Sequence, residues 1–232
     1  MLKAIIFDVD GTLAETEELH RIAFNTAFAD SDLPWHWSRD QYRTLLEVSG
    51  GKERIRHFIE TEGLPERERS DLGQFIAQLH KQKTRIYTQA VIEGRAELRP
   101  GVRELISAAG EAGVRLAIAT TTSLPNVDAL LQAAYNGSGD GIFEAICAGD
   151  SVPAKKPAPD IYTYAMEKMG LSAADCIAFE DSRNGILSSQ GAVLKTIITV
   201  NGSTADDDFS GAAIGLAQMG DHVARFPVRA GA

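Results

Sequence analysis

Short apolar runs alternate with longer amphipathic stretches over most of the chain. Runs of this kind, too short for helices and rich in β-branched residues, are typical of strands buried on both faces of a sheet. Five of them occur, at residues 4–7, 116–119, 144–148, 177–179 and 196–200. Helical spacing of apolar residues predicts helices between them, at 102–112 and 160–169 among others. The alternation predicts an α/β fold with a parallel sheet.

The stretch between the first and second strands has a different pattern. From about residue 15 to residue 95, apolar residues recur at helical spacing only. Helices are predicted from Thr16 as an N-cap, up to Gly63, and again from Ser70 onward. Trp35 and Trp37 are interpreted as part of a small helical core. We therefore predict an α/β core of residues 1–14 and 96–232, a helical domain inserted at 15–95, hinges near 14–15 and 96–99, and a frayed tail after residue 226.

Composition and charge limit the possible partners. The 232 residues are 44% hydrophobic and 24% charged, an ordinary globular balance. A net charge of −9 argues against a nucleic-acid groove or an anionic membrane surface. No run approaches a membrane span and no signal peptide is predicted, so we expect a cytoplasmic monomer acting on a small molecule. Cys147 and Cys176 are predicted to be buried free thiols.

Polar side chains follow the predicted strands at the points where the strands end. Two carboxylates close to a buried strand end favour a divalent cation nearby. The candidates are Asp8 and Asp10, then Thr120, then Lys155 and Lys156 before a proline, and finally Glu180 and Asp181. Each alone has an ordinary alternative, such as an acidic turn, a helix cap or a solvated lysine pair. Because parallel strands open a crevice at their carboxyl ends, we expect the candidates to share one cleft.

Taken in order, four runs resemble the motifs of the haloacid dehalogenase-like superfamily: DVDGT, AIATTTS, KKPAPDIY and AFEDSRNG. The resemblance implies a Rossmann-like core with an inserted all-helical cap, and an Mg²⁺-dependent phosphatase. It implies Asp8 as the nucleophile and Asp10 as the general acid and base. It also implies that Thr120 donates to the phosphoryl group and that Lys156 balances its charge. The implied metal ligands are Asp8, the Asp10 carbonyl and Asp181, with Glu180 as a further contributor.

A narrower resemblance concerns the runs ETEELH, SGGKERI, ATTTSLPNV and KKPAPDIY, which look like CbbY-type sugar-phosphate phosphatases. That group lies beside β-phosphoglucomutase and includes enzymes that remove the 1-phosphate of xylulose 1,5-bisphosphate, an inhibitor of Rubisco in the Calvin cycle. It implies a pentulose bisphosphate substrate. The expected substrate-binding residues are Glu17, His20, Lys52, Arg54, Thr122 and Ser123.

Several alternatives stay open at this stage. His20 is either a surface histidine or a neighbour of Asp10 or of a substrate hydroxyl. The glycines before Lys52 and the helix that follows predict an anion site, whereas the alternative is a flexible connector with a solvated lysine. A phosphomutase would use the same Asp8 and Asp10. A non-catalytic sugar-phosphate sensor is the alternative from another class, and the intact carboxylate pair argues against it.

Overall fold

The computed structural model describes residues 2–62, 71–136 and 141–216. The predicted helix boundaries at Gly63 and Ser70 and the predicted frayed tail lie outside these ranges. In the described part of the chain, a six-stranded parallel sheet has the order β3-β2-β1-β4-β5-β6. Its strands are β1 Ala4–Phe7, β2 Arg115–Ala119, β3 Ala145–Cys147, β4 Cys176–Glu180, β5 Lys195–Thr199 and β6 Ile214–Leu216. The predicted α/β fold class is confirmed.

The first strand lies at the point where the strand order reverses. The chain runs outward from β1 through β2 and β3 on one side, and then through β4, β5 and β6 on the other. Phe7 is in register with Ile118 of β2 and with Phe179 of β4. In an open parallel sheet the crevice beside such a reversal is the usual ligand site. The residues just after Phe7 therefore lie at the most favourable position in the fold for binding a ligand.

Helices cover both faces of the sheet and build the inserted segment. Within the described residues, the α-helices of the insert are α1 Glu17–Asp30, α2 Arg39–Leu45, α3 Gly51–Glu62 and α4 Leu72–Ile92. Those that follow the insert are α5 Val102–Glu111, α6 Leu124–Tyr135, α7 Asp160–Met169 and α8 Arg183–Gly191. Helix α4 packs along α1 and also against α6, so the insert rests on the sheet-bearing part of the chain.

Apolar side chains form three clusters. Two lie on opposite faces of the sheet, as expected for strands that are buried on both sides. The third lies within the insert, where Trp37 is fully buried against Phe24 and Phe28, and Trp35 packs at its edge. The interpretation of the two tryptophans as part of a helical core is confirmed. Cys147 and Cys176 are buried and free, also as predicted.

The two segments that connect the insert to the sheet run side by side. Ala14 forms an antiparallel bridge with Leu98, and the Arg99 backbone N–H donates to the Leu13 carbonyl at 2.8 Å. The Arg99 side chain is buried and pairs with Glu15 at 2.9 Å. Its guanidinium also donates to the carbonyls of Gly11 and Val200. The connecting segments are thus joined to each other and to the turn that follows β1.

Two differences from the sequence-based prediction concern local structure. Strand β6 was not predicted, because its three residues are mostly exposed and too few to show a pattern. Thr16 stands at the N-cap position of α1 as predicted, but its side chain makes no capping hydrogen bond. Its hydroxyl donates to Asp10 instead, at 2.5 Å. Thr16 is therefore the N-cap residue by position, while its side chain serves the Asp10 carboxylate.

Among residues 2–62, 71–136 and 141–216, no helix has the length and apolar character needed to cross a membrane.

Candidate active site

One cleft lies between the carboxyl end of the sheet and the insert. It brings together most of the candidate residues, including those from all four strand-end motifs. Its lining includes Asp8, Asp10, Glu17, His20, Arg54, Thr120, Thr122, Ser123, Lys156, Glu180 and Asp181. Lys52 is absent from the lining of this cleft, which is formed by described residues. The expected convergence of the strand ends on a single cleft is therefore present in the structure.

The turn after β1 places the first carboxylates. Gly11 has a φ of +79°, and a Cβ at this position would lie 2.1 Å from an Asp181 carboxylate oxygen. A side chain here would therefore be strained and would also clash. The glycine lets the turn pass close to Asp181, which Asn201 holds by donating from Nδ2 at 2.7 Å. Asn201, which the sequence-based reasoning missed, also donates to the Gly11 carbonyl at 3.3 Å.

Asp8 lies at the buried end of the cleft beside Lys156. The Lys156 ammonium donates to Asp8 Oδ1 at 2.7 Å and to Glu180 Oε1 at 2.5 Å, and Tyr162 also donates to Glu180. Burial raises the pKa of Asp8 to about 7 against the opposing effect of Lys156, and the charges of Glu180 and Asp10 add to the rise. Burial lowers the pKa of Lys156, but the two carboxylates outweigh it and raise that pKa above its ordinary value. Lys156 is therefore a fixed cation.

The neighbouring Lys155 points elsewhere. Its ammonium donates to the Gly149 carbonyl at 2.6 Å and to Asp150 at 3.0 Å. The structure thus places Lys156, the residue chosen from the resemblance, beside Asp8, and it places Lys155 against the loop after β3.

Asp8, Glu180 and Asp181 form a buried acidic cluster. Each offers a carboxylate oxygen, and these oxygens lie within 4.8 Å of one another. Burial, together with the charges of Asp8 and Glu180, raises the pKa of Asp181 well above its ordinary value. With all three groups ionised, the one ammonium of Lys156 would leave two negative charges uncompensated, and the raised pKa values of Asp8 and Asp181 reflect burial together with this repulsion. This arrangement can hold a divalent cation, because hard cations prefer oxygen ligands.

Asp10 lies across the cleft from this cluster and belongs to a separate chain of hydrogen bonds. It accepts from Thr16 and, at 2.9 Å, from His20 Nε2. Burial raises the pKa of Asp10, but His20 and Thr16 outweigh it and bring the pKa below its usual range. On the other side of the ring, the Lys83 ammonium lies 2.5 Å from His20 Nδ1. Burial and Lys83 lower the pKa of His20, so a neutral ring donates to Asp10 and accepts from Lys83.

Lys83 and Tyr87 are cleft neighbours that the sequence-based reasoning did not select. Burial lowers the pKa of Lys83 to about 7. Its ammonium lies 4.6 Å from the Phe24 ring centroid and 5.1 Å from that of Tyr87. The Tyr87 ring stacks on His20 with centroids 4.0 Å apart. The sequence did contain a signal for Lys83, because this lysine lies at helical spacing between the buried residues Leu79 and Tyr87 of α4.

The remaining candidates lie on the insert side and on the wall formed by α6. Arg54 is buried and donates to the Leu45 and Val48 carbonyls and to the Tyr42 hydroxyl. Tyr42 in turn donates to Glu17 at 3.1 Å. Lys52 lies outside the cleft lining and pairs with Asp150 at 2.6 Å.

Comparisons with known proteins identify the class. The family model described as haloacid dehalogenase-like hydrolase matches residues 2–192. The chain belongs to this family of hydrolases, whose members generally use Mg²⁺, and the prediction of a phosphatase of this family is confirmed.

Within that class, the chain is strongly similar to CbbY proteins. It is 52% identical to Protein CbbY of Rhodobacter capsulatus over 211 residues, which cover 91% of each chain. The structure of CbbY from Rhodobacter sphaeroides in complex with phosphate is 44% identical. It superposes with a TM-score of 0.88 over 95% of this chain and 96% of that one. A β-phosphoglucomutase from Clostridium difficile, 17% identical with a TM-score of 0.76 over 96% and 93%, shares the fold.

Proposed function

We propose that this hydrolase removes phosphate from a small sugar bisphosphate, a pentulose bisphosphate such as xylulose 1,5-bisphosphate. The observation that carries the proposal is a cleft with anion-binding features at both ends. Asp8 and Lys156 lie at one end, and the N-terminus of α3, beginning at Gly51, lies at the other. A variant of Rhodobacter sphaeroides CbbY, 44% identical to this chain, has been crystallised in complex with xylulose-(1,5)bisphosphate, which supports this choice.

The acidic cluster fits Mg²⁺. Asp8 and Asp181 would hold the ion with their carboxylates and Asp10 with its backbone carbonyl, while Glu180 lies beside them. Glu180 Oε2 is buried and has no hydrogen-bond partner among the described residues, as expected where a cation or its water contributes to the site. When bound, the ion would offset the repulsion between the substrate phosphate and the carboxylates.

Asp8 is the proposed nucleophile. Lys156 holds Oδ1 in place, which leaves the other carboxylate oxygen to attack phosphorus. The new bond joins that oxygen to phosphorus, and the bond from phosphorus to the sugar oxygen breaks. Lys156 and the Thr120 hydroxyl would stabilise charge on the transferred group. Water then attacks the aspartyl phosphate, which releases phosphate and regenerates Asp8.

Asp10 is the proposed proton carrier. Thr16 and His20 orient its carboxylate, and they favour its ionised form before substrate binds. A phosphate dianion entering beside it favours the protonated form, since like charges raise the pKa of a carboxyl. Asp10 would then donate that proton to the leaving sugar oxygen and later accept one from the attacking water.

Residues 15–95 are the proposed cap that closes over the sugar. In the present arrangement the contacts between the insert and the sheet side include Lys52 with Asp150, Arg43 with Asp206, and Ser49 with Asn184. The N–H groups and the positive dipole end of α3 would bind the distal phosphate. Arg54 would add its charge, and Lys52 would join only by leaving Asp150. Closure would exclude bulk water from the aspartyl phosphate.

Phosphate release across a panel of sugar monophosphates and bisphosphates tests the proposal. We expect the highest kcat/KM on a pentulose 1,5-bisphosphate, with one equivalent of phosphate released and a monophosphate left. A preference for monophosphates would refute the bisphosphate assignment. Isomerised sugar phosphate without free phosphate would show a mutase, and stoichiometric binding without turnover would show a sensor.

A further inference from the structure

The cleft contains polar atoms for which the protein supplies no hydrogen bond. In the part of the chain that the structure describes, eight buried side-chain atoms lack a partner, and half of them belong to residues that line the cleft. These four residues are Ser123, Asn126, Glu180 and Thr204. Buried polar groups are nearly always paired in native proteins, so a concentration of exceptions in a cleft indicates that a ligand supplies the partner. Glu180 belongs to the acidic cluster, whereas Ser123 and Asn126 need another explanation.

Asn126 lies in the first turn of α6 and is 2% exposed. Its Nδ2 donates to Thr122 Oγ1 at 2.8 Å, while Oδ1 has no partner among the described residues. If the amide were rotated by half a turn, the Thr122 hydroxyl would donate to Oδ1 and the amino group would be left unpaired. One polar end of the amide is therefore free in either orientation, and Thr122 fixes the direction in which that end points.

Ser123 lines the same cleft as Asn126. It occupies the N-cap position of α6, yet its hydroxyl does not cap the helix and has no hydrogen-bond partner among the described residues. A hydroxyl both donates and accepts, and so does the Asn126 amide once both orientations are considered. A sugar hydroxyl can satisfy both side chains in either orientation. A phosphate oxygen only accepts hydrogen bonds. In the observed orientation of the Asn126 amide it would meet the lone pairs of Oδ1 and could form no hydrogen bond with them.

We propose that Asn126, together with Ser123, is a specificity residue that recognises a hydroxyl on the carbon chain of the sugar. This inference rests on the proposed function and deepens it, because it assigns the sugar-facing wall between the Asp8 end and the α3 end of the cleft. The unpaired atoms cost free energy without substrate, and a substrate hydroxyl removes that cost on binding. A substrate that lacks the hydroxyl would leave the amide buried and unpaired, and the enzyme would discriminate against it.

Asn126→Leu removes the polar end at nearly constant volume. We expect kcat/KM for the sugar bisphosphate to fall about tenfold, the scale of one lost hydrogen bond with an unpaired partner. The loss on p-nitrophenyl phosphate, which has no sugar hydroxyl, should be at least about fivefold smaller. Ser188→Ala is the matched control, because Ser188 is also buried and hydrogen-bonded, to the Ala158 carbonyl at 2.6 Å, but does not line the cleft. It should affect both substrates equally.

A deoxy series identifies the hydroxyl. The wild-type enzyme should discriminate about tenfold against one deoxy analogue of its sugar phosphate, and Asn126→Leu should lose that discrimination. Equal losses on the sugar and the aryl substrate, or a wild-type enzyme indifferent to every deoxy analogue, would overturn the inference while leaving the proposed function intact. The deoxy analogues assayed with the wild-type enzyme test the inference even if Asn126→Leu does not fold. A wild-type enzyme that hydrolyses no sugar phosphate would refute both.

Discussion

Replacing Lys83 with methionine separates what this buried lysine costs the fold from what it contributes to the reaction. The ammonium is enclosed by His20, Phe24 and Tyr87, and burial lowers its pKa from 10.5 to about 7. A lysine whose pKa is lower in the folded than in the unfolded chain destabilises the folded state. That destabilisation is complete below the folded pKa and disappears as the pH rises toward the unfolded one.

The magnitude follows from the shift in pKa. At about 1.4 kcal/mol per pKa unit, the charge costs roughly 5 kcal/mol at pH 6 and about 1–2 kcal/mol at pH 9.5. Methionine removes this cost but leaves His20 Nδ1 without its donor, which costs about 1–3 kcal/mol at any pH. We therefore expect Lys83→Met to be more stable than wild type by about 2–4 kcal/mol at pH 6. This gain in stability should be about 3 kcal/mol smaller at pH 9.5 than at pH 6. The cost of the lost hydrogen bond is the same at both pH values, so it does not contribute to the difference.

Urea unfolding at several pH values measures the difference in free energy of unfolding. Lys81→Met is the matched control, since Lys81 is exposed on the same helix and should change stability by less than about 0.5 kcal/mol. Lys83→Met should also have a lower kcat than wild type, because Lys83 positions His20 and His20 orients Asp10. A stability difference that does not change with pH would refute the buried-charge argument. An unchanged kcat would remove Lys83 from the proton-handling chain.

Three further predictions concern the reaction. Asp8→Asn should retain the fold, as judged by circular dichroism, and lose about 10⁴-fold or more in kcat, because an amide is a poor nucleophile; a phosphoryl group trapped on any other residue would contradict the assignment. Chelation should stop turnover, Mg²⁺ should restore it and Ca²⁺ should do so poorly, because its looser shell misplaces the nucleophile; full activity in metal-free buffer would exclude the proposed site. Lys52→Ala should lower kcat/KM for a bisphosphate about 10- to 150-fold, the scale of a charge-assisted hydrogen bond, and hardly affect an aryl phosphate. If Lys52→Ala and Asp150→Asn both lowered kcat/KM equally for the two substrates, Lys52 would serve closure of the insert instead of substrate recognition.

The sequence predicted what depends on local pattern and on strand ends. Asp8 could be placed because a short buried strand has only one end from which a carboxylate can reach the crevice, and Lys156 could be placed because it directly precedes a proline in a resembling motif. The parallel sheet follows from the alternation of elements, and the helical insert follows from its lack of alternation. Asp8 and Lys156 can each be recognised within about ten consecutive residues, whereas the sheet and the insert need the pattern of the whole chain.

The residues that the sequence did not predict depend on tertiary contacts. Thr16 has the residue type and position of a helix cap, and only the packing of α1 against the turn after β1 turns its hydroxyl toward Asp10. Lys52 has the residue type of an anion ligand, but Asp150 lies 98 positions away and could not be foreseen as its partner. Asn126 gave no signal, because a single polar residue in the first turn of a helix is ordinary. Of these residues, only Lys83 departed from a sequence pattern, because it is a charged residue within the apolar stripe of α4.

The paired connecting segments have a consequence for how this architecture can be engineered. Because Ala14 and Leu98 are bridge partners, their Cα atoms lie about 5 Å apart, a gap that a tight turn spans. The insert is thus joined covalently to the sheet-bearing part through two adjacent segments, an arrangement in which domain insertion and excision are tolerated. The Arg99 partners Gly11 and Val200 both lie outside the insert. A chain with residues 15–97 replaced by a short loop is therefore a rational starting point for grafting lids of other shapes, and hence other selectivities, onto one unchanged catalytic floor.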